Sequence, residues 1–178
     1  MVYFDYTTII GGGMIRWVSA PEGVSGFTFL PVWEIGVGIF LLIAAFVIPT
    51  LFLVYNGINT GQWMELLFCV VFFLFFGFLG YKLVFQSLSA SAEGEMLHVQ
   101  SNLRDPEVHF SCKTVEWKTA RIGAAEDQDG KTYATLQIVT NKGFNEVYRS
   151  VNNEEIKEIC GAFMTLHNQQ HPPTPTNE

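Results

Sequence analysis

The chain has 178 residues, 49% of them hydrophobic and 15% aromatic, with a formal net charge of −7 and a mean hydropathy of +0.25. Beyond residue 86, 8 Lys and Arg face 13 Asp and Glu, so there is no basic stripe for nucleic acid and no general attraction to anionic lipid headgroups. The three cysteines, Cys69, Cys112 and Cys160, are odd in number, scattered and free of any C-x-x-C spacing; they read as free buried thiols and not as a disulfide framework.

Residues 1–32 are apolar yet rich in glycine. Gly11-Gly12-Gly13 and Pro21-Glu22-Gly23 break any helix there. The segment is expected to form short extended pieces that lie on a surface or add strands to a later sheet. The glycine triplet lacks the Lys-Ser/Thr of a phosphate loop. No basic stretch precedes an apolar one, so a secretory leader is not expected.

Residues 33–86 are expected to form a two-helix transmembrane hairpin. The run Ile35–Tyr55 carries no charge, and at ~1.5 Å per residue it reaches ~31 Å, the thickness of a hydrocarbon core. The run Trp63–Phe85 carries only Glu65 and Lys82, each near an end. The short polar turn Asn56–Gln62 between them makes the helices antiparallel neighbours. Trp33, Tyr55, Trp63 and Tyr81 flank the runs, where amphipathic rings favour the membrane interface. Glu34 and Lys82 fall at one end of the hairpin and are a candidate ion pair. The small residues Gly36, Gly38, Ala44, Ala45, Gly77 and Gly80 permit close helix packing, and Pro49 interrupts one backbone bond. No charge or histidine lies mid-run, which argues against a proton relay, a haem-bearing pair or a lone transporter. Arg16, Lys82 and Arg104 flank the runs and the turn has no charge, so both termini are expected in the cytoplasm of a multi-pass inner-membrane protein.

Residues 87–94 (SLSASAEG) read as a polar linker. Residues 95–168 read as a cytoplasmic β-rich domain closed by a helix. Apolar and polar residues alternate at Leu97/Val99, at Val108/Phe110/Cys112 and at Ala134/Leu136/Ile138. Val115 and Trp117 take the opposite parity, which suggests a bulge near Thr114. With turns at Asp129-Gly130 and Asn141-Lys142-Gly143, the expected strands are about 95–101, 107–113, 115–124, 131–140 and 143–149. Asn152 or Asn153 caps a helix with Glu154 and Glu155 in its first turn. Ile156, Ile159, Cys160, Phe163 and Leu166 make its apolar face. Residues 169–178 read as a proline-rich disordered tail.

The strand Asn141–Ser150 (NKGFNEVYRS) runs directly into the acidic-capped helix of Val151–His167 (VNNEEIKEICGAFMTLH). Together with the preceding hairpin, this layout resembles the bacterial two-helix membrane proteins that carry a pleckstrin-homology-like domain. The resemblance implies an antiparallel sheet or partial barrel with a C-terminal helix. It implies a scaffold or partner-binding role and no catalytic residues. At about 75 residues the module is short for seven strands unless residues 1–32 complete it.

Catalytic signatures are not found. His98 and His109, with Glu95 or Glu107, are the nearest approach to a metal set, but no His-Cys spacing supports one. Glu126–Gly130 opens like a calcium loop and lacks the later bidentate Glu. Ser111, Cys112 and His109 lack an orienting third group. No cofactor, metal or catalytic residue is therefore expected. The expected function is a non-catalytic accessory or scaffold protein whose domain binds a protein partner. The alternative is a ligand-controlled membrane effector that oligomerises through its hairpin.

Overall fold

The computed structural model describes residues 6–10, 13–20, 23–56, 63–103 and 107–172. It divides into two compact units, residues 32–86 and residues 1–31 with 87–178.

The first unit is a helical hairpin, α1 (Val32–Asn56) and α2 (Trp63–Val84). Their apolar windows, Val32–Tyr55 and Leu66–Val84, have mean hydropathies of 2.8 and 2.3, and only 11% of each window is buried within the chain. By length and composition both helices are able to cross a membrane. The reason they pack together is local. A Cβ on Gly38 would lie 2.9 Å from the Gly80 carbonyl oxygen, and one on Gly80 would lie 2.8 Å from the Gly38 oxygen. The backbones touch because neither residue has a side chain. Ala45 and Cys69 are buried in the same seam. Phe46 meets Phe73 edge-on at 4.9 Å. Pro49 lies inside α1 and offers no N–H to the preceding turn, and the next residue, Thr50, turns its hydroxyl back onto the Phe46 carbonyl at 2.7 Å.

The second unit holds nine described strands and one helix. Strands β1 (Tyr6–Ile10), β2 (Gly13–Ala20), β3 (Gly23–Leu30), β4 (Leu88–Glu93), β5 (Met96–Ser101) and β6 (Val108–Lys113) form an antiparallel six-stranded meander in that order. Strands β7 (Trp117–Glu126), β8 (Thr132–Thr140) and β9 (Gly143–Ser150) form a second sheet. Helix α3 (Asn153–Gln170) follows.

Three expectations need correction. The expected linker 87–94 is strand β4: Leu88, Ala90 and Ala92 point inward and are buried, and β4 pairs with β3 from Phe29↔Leu88 to Gly26↔Ser91. Small polar residues resemble a linker in isolation; here serine and alanine alternate with the pleat. Second, the change of parity after Lys113 is a 3₁₀ turn, Thr114–Glu116, which ends one sheet and starts the other. Val115 is exposed there, and the strand expected from residue 115 begins at Trp117. Third, the domain does not begin at residue 95, because β1 to β3 belong to the same sheet as β4 to β6. The hairpin is thus an insertion between two hydrogen-bonded neighbours.

Helix α3 closes the core. Ile156, Ile159, Ala162, Phe163 and Leu166 are buried. The Phe163 ring stands edge-on to Phe27 of β3 at 4.9 Å and to Trp117 of β7 at 6.3 Å, so one side chain joins both sheets. Asn152 caps the helix by accepting from the Glu154 and Glu155 N–H groups at 3.1 and 3.5 Å. Of the expected disordered tail, Gln169 and Gln170 are helical, and the Gln169 amide oxygen accepts from Val24 N–H at 2.7 Å. Residues 173–178 and the turn residues 57–62 lie outside the described residues.

Candidate functional site

The residues singled out in the hairpin separate into two sets. Gly38, Gly80 and Ala45 make the interhelical seam, with Ala44 half-buried beside it. Gly36 and Gly77 face away, and a Cβ on either would meet nothing within 4 Å. Trp33 and Tyr81 belong to the end of the hairpin where α1 starts and α2 finishes. Tyr55 belongs to the opposite end, and Trp63 is the first residue of α2. Trp33, Tyr55 and Tyr81 are exposed. Glu34 stands in the first turn of α1 and Lys82 in the last turn of α2; the Lys82 ammonium also lies 5.9 Å from the Phe78 ring centre.

On the six-stranded sheet, the residues between the buried positions form a polar outer face. His98 sits opposite Ser111, and Gln100 opposite His109. With Ser89 and Ser91 they line a shallow groove of about 280 Å³. The two histidines are therefore diagonal neighbours on adjacent strands. His109 Nε2 lies 3.4 Å from Glu107 Oε2. Among the described residues no three His, Cys, Asp or Glu converge as a metal set. Cys112 points to the other face and is buried. Burial pushes its thiol up, Glu116 adds to this, and Lys142 opposes it.

The Glu126–Gly130 tip is a self-sufficient turn. Asp127 Oδ1 accepts from the Asp129 and Lys131 N–H groups, both at 2.9 Å, and Oδ2 accepts from the Tyr133 hydroxyl at 3.0 Å. The Lys131 N–H bond, chiefly, holds this carboxyl below its ordinary range. Gly130 takes the left-handed φ of 76° that the turn requires.

The outer face of β7–β9 carries an arrangement that sequence periodicity did not single out. Gln137 and Thr135 of β8 are buried, although they lie on the face away from the core residues Leu136 and Ile138. Gln137 Nε2 donates to Thr135 Oγ1 at 3.2 Å, and its Oε1 accepts from Arg121 Nε at 3.0 Å. The Gln137 amide occupies the space a Cβ of Gly123 would fill, only 2.4 Å from that position. Arg121 is held so that its guanidinium lies 5.2 Å from the ring centre of Phe144, an exposed aromatic on β9. Arg149 is bonded to Glu146 at 2.9 Å and lies 5.8 Å from the Tyr133 ring. Among the described residues Arg121 has no carboxylate within ion-pair distance. A fixed guanidinium stacked on an exposed ring is recognition chemistry: the fork is oriented before binding and loses little freedom on contact. The legible signal was the alternation itself, Arg121-x-Gly123 against Thr135-x-Gln137, once the strands were put in register.

No protein-family model matches this chain, and no curated protein or solved structure is significantly similar to it.

Proposed function

We propose that this is a non-catalytic accessory or scaffold protein of the bacterial inner membrane, anchored by α1 and α2, whose β unit binds a protein partner. The observation that carries the reading is the insertion of an apolar hairpin between β3 and β4, which pair residue by residue. A soluble protein would expose both helices to water at great cost, because apolar surface out of contact with lipid or protein costs about 25 cal/mol per Å². Because β3 and β4 share one sheet, both flanks of the hairpin must lie on one side of any membrane it crosses. Arg16, Lys82 and Arg104 against an uncharged turn support the cytoplasm as that side.

The β unit is read as pleckstrin-homology-like. In support, β3 to β9 supply seven antiparallel strands followed by the closing helix α3; five of them lie in residues 95–168, β4 comes from the expected linker and β3 from the N-terminal segment. The fixed Arg121 and Phe144 supply a surface suited to a protein partner. Aromatic belts at Trp33/Tyr81 and Tyr55/Trp63, and a Glu34–Lys82 pair at the cytoplasmic end, belong to the same reading.

The test is purification of the tagged full chain at native expression in mild detergent, with mass spectrometry of what accompanies it. A stoichiometric second protein is the expected result. Recovery of this chain alone, in self-contacts only, counts against the reading and moves the weight to an effector that oligomerises through its hairpin.

A further inference from the structure

Among the described residues, β7 has β8 on one side and no strand on the other. Natural sheets shorten, charge or bulge such an edge. This one is ten residues long, its register irregularity lies at its start between Trp117 and Thr119, and from Arg121 to Glu126 it is exposed or half-exposed throughout. This exposed half carries Gly123-Ala124-Ala125, small residues that leave room for a second backbone.

The direction of its free groups follows from the hairpin. Asp127 N–H bonds to the Lys131 carbonyl at 3.0 Å, and the register runs without a shift from Thr119↔Val139 to Glu126↔Thr132. In an antiparallel pair the bonded residues alternate. Arg121, Gly123 and Ala125 therefore bond to β8, while Ile122 and Ala124 turn their N–H and C=O outward.

The two faces beside this edge differ in chemistry. On the core side Asn153 and Lys157, at the start of α3, stand at the border of an open groove. Ile122 and Val151 are exposed there, and with Ala124 and Ala134 they line this groove of about 480 Å³. On the other side stands Arg121, pre-oriented by Gln137 and without a carboxylate at ion-pair distance among the described residues, in a chain whose net charge is −7.

We propose that the β7 edge takes an extended segment of a partner protein as an added strand, in which apolar and acidic residues alternate. The backbone of the segment pairs with Ile122 and Ala124. Its apolar side chains enter the groove beside Ile122 and Ala124, and an acidic one meets the Arg121 fork. This rests on the reading of the β unit as a partner-binding module, and it names the surface and the partner's chemistry.

The experiment uses the full chain in detergent micelles and a fluorescein-labelled ten-residue peptide alternating valine and glutamate. Control peptides carry lysine for glutamate, or serine for valine. Anisotropy titration is expected to show the valine–glutamate peptide binding at least about tenfold tighter than either control, a difference of ~1.4 kcal/mol. Arg121→Glu should reverse the charge preference. Ala124→Pro should cost at least about tenfold with an unchanged melting curve, since the lost N–H points away from β8. If that variant fails to fold, amide exchange of the wild-type chain decides instead: slowed exchange at Ile122 and Ala124 on adding peptide is the expected result. Absence of saturable binding, equal binding of the three peptides, or peptide binding that leaves exchange at Ile122 and Ala124 unaltered overturns the proposal. The two readings fail separately. A partner that copurifies equally with wild type, Ala124→Pro and Arg121→Glu removes the edge site and leaves partner binding intact. If nothing copurifies, partner binding falls, and the titration still decides the edge.

Discussion

Gly123 and Gln137 offer a test of the outer-face arrangement by double substitution. A Cβ at position 123 would lie 2.4 Å from Gln137 Nε2, 2.7 Å from its Cδ and 2.9 Å from Thr135 Oγ1. The first is about 1 Å inside an ordinary contact, so Gly123→Ala must expel the Gln137 amide. Two hydrogen bonds go with it, Gln137 to the buried Thr135 hydroxyl and Arg121 to Gln137. At about 1 kcal/mol net for each, the second discounted because Arg121 is exposed, the expected cost is about 2 kcal/mol. In a unit of this size that is a fall of roughly 5–10 °C in Tm. Gln137→Ala removes both bonds by itself and also removes the nearest obstacle. Gly123→Ala on top of it then has only the Thr135 hydroxyl at 2.9 Å left to displace and should cost less than it does alone, leaving a coupling of about 1–2 kcal/mol in the cycle. Thermal melts of the four full-length variants in detergent, followed by circular dichroism, measure it. Additive effects, within about 0.5 kcal/mol, would refute the claim that Gly123 is there to seat Gln137 and, through it, Arg121.

The hairpin glycines should separate in the same way. Gly80→Leu forces the helices apart against Gly38 and Leu42 backbone atoms and is expected to reduce cross-linking between cysteines introduced into α1 and α2, at an overpacking cost of about 1–3 kcal/mol. Gly77→Leu should leave that cross-linking unchanged, and any loss of self-association in this variant alone would favour the oligomeric effector. Phe163→Ala should destabilise the β unit by about 3–5 kcal/mol, because it opens a cavity shared by Phe27 and Trp117; a melt shifted by less than a fifth of that would contradict the core assignment. Asp127 has a folded pKa held below its ordinary value. Its stabilising contribution is therefore complete above the ordinary carboxylate range and is lost as pH falls through the folded value. The Tm gap between wild type and Asp127→Asn should narrow between about pH 5 and pH 2. Glu158 behaves oppositely. Burial raises its carboxyl, Glu154 and Glu155 add to this, and Oε2 is buried without a partner. Its ionisation opposes folding as pH rises through that range, so Glu158→Gln should raise Tm at pH 7 and not at pH 4.

What the sequence by itself determined was everything with a local period. Two charge-poor runs of membrane length specify α1 and α2, because length and polarity alone set that outcome. The Ile156–Leu166 face, its Asn152 cap and the Asp129-Gly130 turn were legible for the same reason: each depends on neighbours within one helical turn or one hairpin. Gly38 and Gly80 were legible as small residues, but Gly36 and Gly77 were equally so, and only the rotation of the two helices decided which pair made the seam. Tertiary structure decided that LSASAE, Leu88–Glu93, is an interior strand paired on both sides. Its pairing with β5 is a local hairpin, but its other partner, β3, lies on the far side of the whole helical hairpin, and no local signal reports a pairing across such an insertion. The same holds for the Arg121 surface. Gln137 looks like any solvent-facing residue of an alternating strand until register places it over Gly123, and the hydrogen bond that follows belongs to the pair of strands and to neither sequence segment alone.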